Sequence, residues 1–188
     1  LTGCGLEELR ERMRGENHNY IELALTYLEA GLFREADGIL SLAPADDEPM
    51  VHYYRYYCTK DREQLARAEQ ADPGYCFPNR LSDMEALQTA VKDGGSFAAY
   101  YLGNLFYDRG RFEEAVRLWE ECKEKTNLPV VYRNLSLACY NKMQEKEKAR
   151  AYMEQAFSMD QSDARIFFER DSLCKALQVP VHERLSYM

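Results

Sequence analysis

The polar side chains best spaced to recognise another molecule are Tyr100, Asn104, Tyr107, Arg133, Asn134, Asn141 and Arg165. Tyr100, Asn104 and Tyr107 stand four and three apart, so a helix carrying them presents all three on one face. An amide side chain both donates and accepts, and can bond the N–H and the C=O of a peptide backbone. Arg133 and Arg165 would add charge-assisted bonds to an acidic group. This is binding chemistry. The residues an enzyme needs are not arranged for catalysis. His18, His52 and His182 form no HExxH or HxxxH pair, so metal-ligand spacing is absent. Gly103, Gly110 and the Gly94-Gly95 pair build no phosphate-cradling loop. Carboxylates are plentiful, but none stands out as a general acid and base pair. Cysteines at 4, 58, 76, 122, 139 and 174 include no CxxC and are expected to be reduced, mostly buried thiols. No catalytic residue, metal or cofactor is assigned.

Composition narrows the partner. The chain has 188 residues, 46% of them hydrophobic and 30% charged, which suits a folded protein with much exposed helix. Its formal net charge is −8. Nucleic-acid binding draws on Lys and Arg neutralising phosphates, so a protein or peptide is the expected partner, not nucleic acid and not an anionic membrane. No apolar run approaches the ~18 residues that span a bilayer, and a cytoplasmic protein is expected. Leu1-Thr2-Gly3-Cys4 matches the site at which bacterial lipoproteins are cleaved and lipidated, but such a site needs an apolar signal segment before it. It is read here as a turn leading into a helix, in a chain that is part of a longer protein.

The candidate residues sit within a period. Tyr101 to Ala115, running on through Trp119, reads as helix, turn at Gly110, and second helix. Ala149 follows Ala115 by 34 residues, and Met153 follows Trp119 by the same interval. Leu135 follows Leu102 by 33, so one extra residue is expected in the later turn. Clear units span 17–43, 96–128 and 129–160. The first carries Tyr20, Leu23, Ala24 and Tyr27, Gly31 at its turn, then Phe33, Ala36 and Leu40. Small residues let two helices approach to about 8–10 Å, and the large ones fill the grooves beside them. Residues 50–92 are a degraded version. Tyr53, Tyr54, Tyr56 and Tyr57 cannot all face one side of a helix, and residues 50–59 are the expected surface for contact with a neighbouring domain or a second copy. Pro73, Gly74 and Pro78 forbid a continuous helix. An extended stretch at 72–80 is expected to pack Tyr75, Cys76 and Phe77 on the array, where a first helix should stand, ahead of a lone helix at 81–92. Residues 161–188 read as a C-terminal capping unit, with Ser162 and Asp163 at a helix cap.

In its 34-residue period, its small residues at helix contacts and its turn glycines, the chain resembles the tetratricopeptide-repeat (TPR) family. The resemblance implies an all-α, right-handed superhelix of about five antiparallel helical hairpins over 1–188, a TPR-like α-solenoid. From Ala71 onward the chain also looks like the TPR half of large bacterial proteins with a β-rich domain of unknown function. The implied function is a protein-interaction scaffold that binds a peptide or partner segment on its concave face. The alternative is a structural or self-association module that positions a neighbouring domain, one acting on carbohydrate included. In such arrays first helices line the concave face. Their non-core positions here include His18, Ile21, Leu25 and Leu28 as well as the residues named at the outset. Chaperone-type members clamp a C-terminal carboxylate with Lys and Asn on one first helix, Asn on the next, and Lys and Arg on a third. Asn104 and Asn134 match the two Asn, and Arg165 falls near the first basic position. Tyr100 replaces one cation and Glu169 another, so the carboxylate clamp is not expected.

Overall fold

The structure is a computed structural model that describes residues 5–44 and 48–185. All regular structure among them is helical. In chain order the helices are α1 (Leu6–Met13), α2 (Asn17–Glu29), α3 (Phe33–Leu40), α4 (Pro49–Thr59), α5 (Arg62–Gln70), α6 (Leu81–Lys92), α7 (Ser96–Asp108), α8 (Phe112–Thr126), α9 (Pro129–Ala138), α10 (Lys146–Met159), α11 (Ala164–Ala176) and α12 (Val181–Leu185). A 3-10 turn covers Pro73–Tyr75 and a π-turn covers Cys139–Met143. The lipoprotein-like Leu1–Cys4 stretch lies outside the described residues. The chain divides into two compact units, Leu1–Leu105 and Phe106–Met188.

Helix pairing follows the period. Helix α2 packs on α3, α4 on α5, and α9 on α10. The small residues expected at these contacts are wholly buried, Ala36, Ala68, Ala115 and Ala149 among them. Each hairpin turn places one residue in the left-handed region, which lets the chain reverse while the last helical carbonyls stay bonded. Gly31 (φ 74°) and Gly110 (φ 77°) do so without a steric cost, whereas Lys60 (φ 59°) and Gln144 (φ 59°) carry side chains there. Lys60 thus fills the place of the glycine missing between α4 and α5.

In the first unit the tyrosines of α4 are interior. Tyr53, Tyr54 and Tyr56 are almost fully buried, so residues 50–59 do not form the expected external contact surface. A buried phenol needs a hydrogen-bond acceptor, and each finds a carboxylate. Tyr53 donates to Glu69 (2.7 Å), Tyr56 to Asp93 (2.5 Å), and Tyr54 to Asp83. Burial first, and the carboxylate second, push all three phenols up in pKa. Two of these acceptors belong to α6 or its end, which explains why α6 packs on α4. The stretch before α6 is mostly extended, as expected; of the residues expected to pack there Cys76 is buried and Phe77 is exposed, and the side chain of Tyr75 lies outside what the structure describes. Asp83 holds its end by accepting the N–H of Asn79 and of Arg80, both at 2.8 Å.

Glu69 does more than bind Tyr53. Its two oxygens accept the N–H groups of Ser96 (2.7 Å), Phe97 (2.8 Å) and Ala98 (3.0 Å). These are the donors that a helix start leaves without intrahelical partners. Gly95 makes room: a Cβ there would stand 2.9 Å from Glu69 Oε1 and 3.1 Å from the carbonyl oxygen of Ala90. The Gly94-Gly95 pair therefore has two jobs. Gly94 turns the chain at φ 97°, and Gly95 admits the carboxylate.

In the second unit Tyr107 packs its ring against Phe112 and Trp119 of α8 at 5.1 and 5.6 Å, and the Arg111 guanidinium lies over the Phe106 ring at 3.9 Å. Met153, Ala156, Phe157, Ile166 and Leu173 share one buried cluster with Cys139 and Ala149. Ser136 stands where the preceding repeat has Gly103, and its hydroxyl donates to the Ala149 carbonyl across the hairpin (2.7 Å). The extra residue of this repeat is not looped out in the turn. It is absorbed inside the helix as the π-turn, and Glu145 N–H reaches back to Cys139 C=O at 2.9 Å. A π-turn is the helical way to house one residue too many. Asp163 caps α11 by accepting the N–H groups of Arg165 and Ile166, while Ser162 bonds Asp160 instead.

Two stability outcomes follow from these contacts. Glu69→Ala strands three helix-start donors and a buried phenol, and should cost about 2–4 kcal/mol in urea unfolding. Glu69→Gln, which keeps one acceptor oxygen, should cost less; equal losses would contradict the capping role. Gln144→Gly relieves a left-handed side chain and should raise stability by about 0.5–1 kcal/mol. A lowered melting temperature for Gln144→Gly would contradict that assignment.

Candidate functional site

Four of the seven candidate residues converge in the second unit, around a side chain not counted among them. Arg133 of α9 makes a two-pronged ion pair with Glu169 of α11, Nε to Oε2 at 2.5 Å and Nη2 to Oε1 at 2.5 Å. Arg165, one helical turn before Glu169, donates from Nε to the same Oε1 at 3.0 Å. The remaining guanidinium nitrogen of Arg133, Nη1, donates to Asn134 Oδ1 at 3.0 Å. Tyr107 is half-buried. Burial raises its phenol pKa, and the nearby positive charge of Arg133 opposes the shift. Burial also works to raise the Glu169 carboxyl, but the hydrogen bonds from Arg133 and Arg165 outweigh it and hold the group below the usual carboxylate range.

The arrangement gathers two cations and one anion. Arg133 is 11% exposed at its side chain and its charge is spent on Glu169, whereas Arg165 is 71% exposed. One net positive charge therefore faces solvent, in a chain of net charge −8. Phe168, beside Glu169, is 70% exposed. The surface of α11 thus offers a cation, Arg165, and an aromatic ring, Phe168. Residue types marked Glu169 only as the replacement of a clamp cation and did not mark Phe168. The Arg165–Glu169 spacing of four is a legible helical ion pair, but nothing in the order of residues links Arg133 to a carboxylate 36 positions away.

The other three candidates stand elsewhere. Asn141 is exposed on the π-turn. Tyr100 and Asn104 belong to the first unit. Tyr100 is only 8% exposed, with its ring 5.3 Å from that of Tyr101, and Asn104 is half-buried. Ile21 and Leu25, placed by the repeat pattern among binding positions, are core residues instead, because α2 buries them. His18 remains at the surface, where Arg80 Nη2 approaches its Nδ1 at 3.0 Å.

Reactive groups are muted. Among the described residues no three His, Cys, Asp or Glu side chains gather as they would to hold a metal ion. Cys58, Cys76, Cys122, Cys139 and Cys174 are free thiols, and all but Cys58 are buried. Burial pushes Cys58 up to about 12 and Cys139 up to about 11, away from the thiolate a nucleophile needs. No helix among the described residues is long and apolar enough to cross a membrane.

No protein-family model matches the sequence. The DNA-directed RNA polymerase subunit beta' of Bifidobacterium adolescentis is 28% identical over 91 residues, which is 46% of this chain and 7% of that protein's length. Solved structures resemble far more of the chain. PilF of Pseudomonas aeruginosa superposes with a TM-score of 0.51 at 19% identity, over 94% of this chain and 76% of its own. MamA of Desulfovibrio magneticus RS-1 gives 0.50 at 15% identity, over 91% and 88%. MamA AMB-1 gives 0.51 at 15%, over 91% and 87%. These are TPR proteins, and the likeness at such low identity is one of fold. Repeated hairpins, buried small residues at their contacts and left-handed turns give this chain the tetratricopeptide-repeat fold.

Proposed function

We propose that the chain is a protein-interaction scaffold whose second unit receives a partner's peptide segment on the first helices of successive hairpins. Tyr107, Arg133, Asn134, Arg165 and Asn141 supply the contacts, and Tyr100 and Asn104 are the corresponding candidates of the first unit. The observation that carries this reading is the Arg133–Glu169–Arg165 group. It is built from two first helices and leaves Arg165 presented to solvent beside Phe168. A partner segment carrying an acidic side chain next to an apolar one matches that surface. Glu169 already occupies the guanidinium of Arg133 in the manner of a bound carboxylate, which weighs against a clamp for a free C-terminus. Proteins of this fold act in general as interaction scaffolds, which supports the class of function, and the muted thiols weigh against nucleophilic catalysis.

The test is to isolate a partner with the 188-residue chain and measure its affinity by calorimetry against variants. Arg165→Ala and Asn134→Ala should each weaken binding about tenfold or more. Arg117→Ala, exposed on the second helix α8, should leave it unchanged. A partner indifferent to the first-helix variants, or sensitive to all variants alike, would overturn the assignment.

A further inference from the structure

We infer that the partner group received by Arg165 is a singly charged carboxylate, and that Glu169 is the residue that excludes a phosphorylated side chain. This rests on the reading of α11 as part of a partner-binding surface, and adds to it the charge which that surface selects.

An arginine fork pairs with phosphate as readily as with carboxylate, so selection has to come from its surroundings. Arg133 is committed within the fold. Its Nε and Nη2 donate to Glu169, its Nη1 donates to Asn134, and its side chain is only 11% exposed. Arg165 is the reachable cation. Its Nε donates to Glu169 Oε1 at 3.0 Å, its side chain is 71% exposed, and among the described residues neither Nη nitrogen meets an acceptor. An incoming anion therefore meets a guanidinium that is already bonded to a carboxylate.

Charge then decides between ligands. Arg133, Arg165 and Glu169 together carry one positive charge, which a single carboxylate neutralises. Phosphoserine carries about −1.5 to −2 at neutral pH. It would bring excess negative charge beside the Glu169 side chain, which is 19% exposed. Partly buried charges are screened by salt much less than exposed ones, so that repulsion persists. Burial opposes ionisation of Glu169, but the hydrogen bonds from Arg133 and Arg165 outweigh it, and the group stays charged at neutral pH. The start of α11 offers phosphate no alternative, because Asp163 already accepts the N–H groups of Arg165 and Ile166. Phe168 follows Arg165 by three positions, on the same side of the helix, and is 70% exposed. An extended partner presents alternate side chains on one face, so an acidic residue with an aromatic one two positions later matches this pair.

NMR titration of the isotopically labelled 188-residue chain tests the inference. The probes are acetyl-Glu-Gly-Phe-amide and its counterparts with Gln or phosphoserine in place of the acidic residue. The carboxylate peptide should shift the amides of Arg165 and Phe168, saturating in the millimolar range, and the Gln peptide should bind more weakly. The phosphoserine peptide should bind no tighter than the carboxylate one. Glu169→Gln should turn that preference about tenfold toward phosphoserine. Because this change leaves Arg133 without its charge partner, Arg133→Gln combined with Glu169→Gln serves as the control. The double variant carries one positive charge again and should return the preference to that of the wild type. A phosphoserine peptide bound tenfold tighter by the wild type, or one preference shared by all three proteins, would overturn the role of Glu169 and leave the acid-binding reading of α11 standing. Equal shifts from the Gln peptide, or no shift from any peptide, would overturn both.

Discussion

A helix start buried against other helices must find acceptors for its first N–H groups, and in this protein one carboxylate meets that demand at the central repeat. Glu69 reaches across from α5 and takes three donors of α7 together with the phenol of Tyr53. The approach depends on Gly95 having no Cβ. The contact fixes where α7 begins, and therefore the register of Tyr100, Tyr101 and Asn104 along it. A cap from a distant helix ties together segments that local capping would leave independent.

The same economy governs α4. Its tyrosines are large enough to fill the interior and polar enough to need acceptors there, so each draws an acidic residue inward. A run of aromatic phenols that resembles a sticky surface is, once folded, the interior of the first unit. The degraded pattern of 50–92 is explained by this chemistry. The hairpin contacts that small residues supply elsewhere are supplemented here by phenol–carboxylate pairs, and α6 is recruited to α4 because it carries or adjoins two of the carboxylates.

In the second unit the consensus is closer and the deviations are more local. Ser136 replaces glycine and uses its hydroxyl to bind the backbone of the facing helix. An inserted residue becomes a π-turn, so Asn141 and Lys142 project from a widened helix end. Lys142 lies over the Phe112 ring at 4.4 Å, a cation–π contact that anchors that end. The arginines at binding positions were visible as cations from residue type alone. The pairing of Arg133 with Glu169 was not, because a side chain's charge is counted before it is paired.

Sequence alone determined the all-α class, the hairpin period and the buried identity of Leu102, Phe106, Ala115 and Trp119. Helical spacing and small-residue placement are local properties that survive in the order of residues. It also picked out the turn glycines and the break at 72–80, since glycine and proline act on their own backbone. Tertiary structure decided which tyrosines are interior, that Glu69 caps α7, and that Arg133 and Arg165 share one carboxylate. It also decided that the extra residue of the later repeat widens a helix instead of lengthening a loop. These outcomes depend on distances between residues far apart in the chain, and a hydrogen bond's partner is set by where a fold brings it.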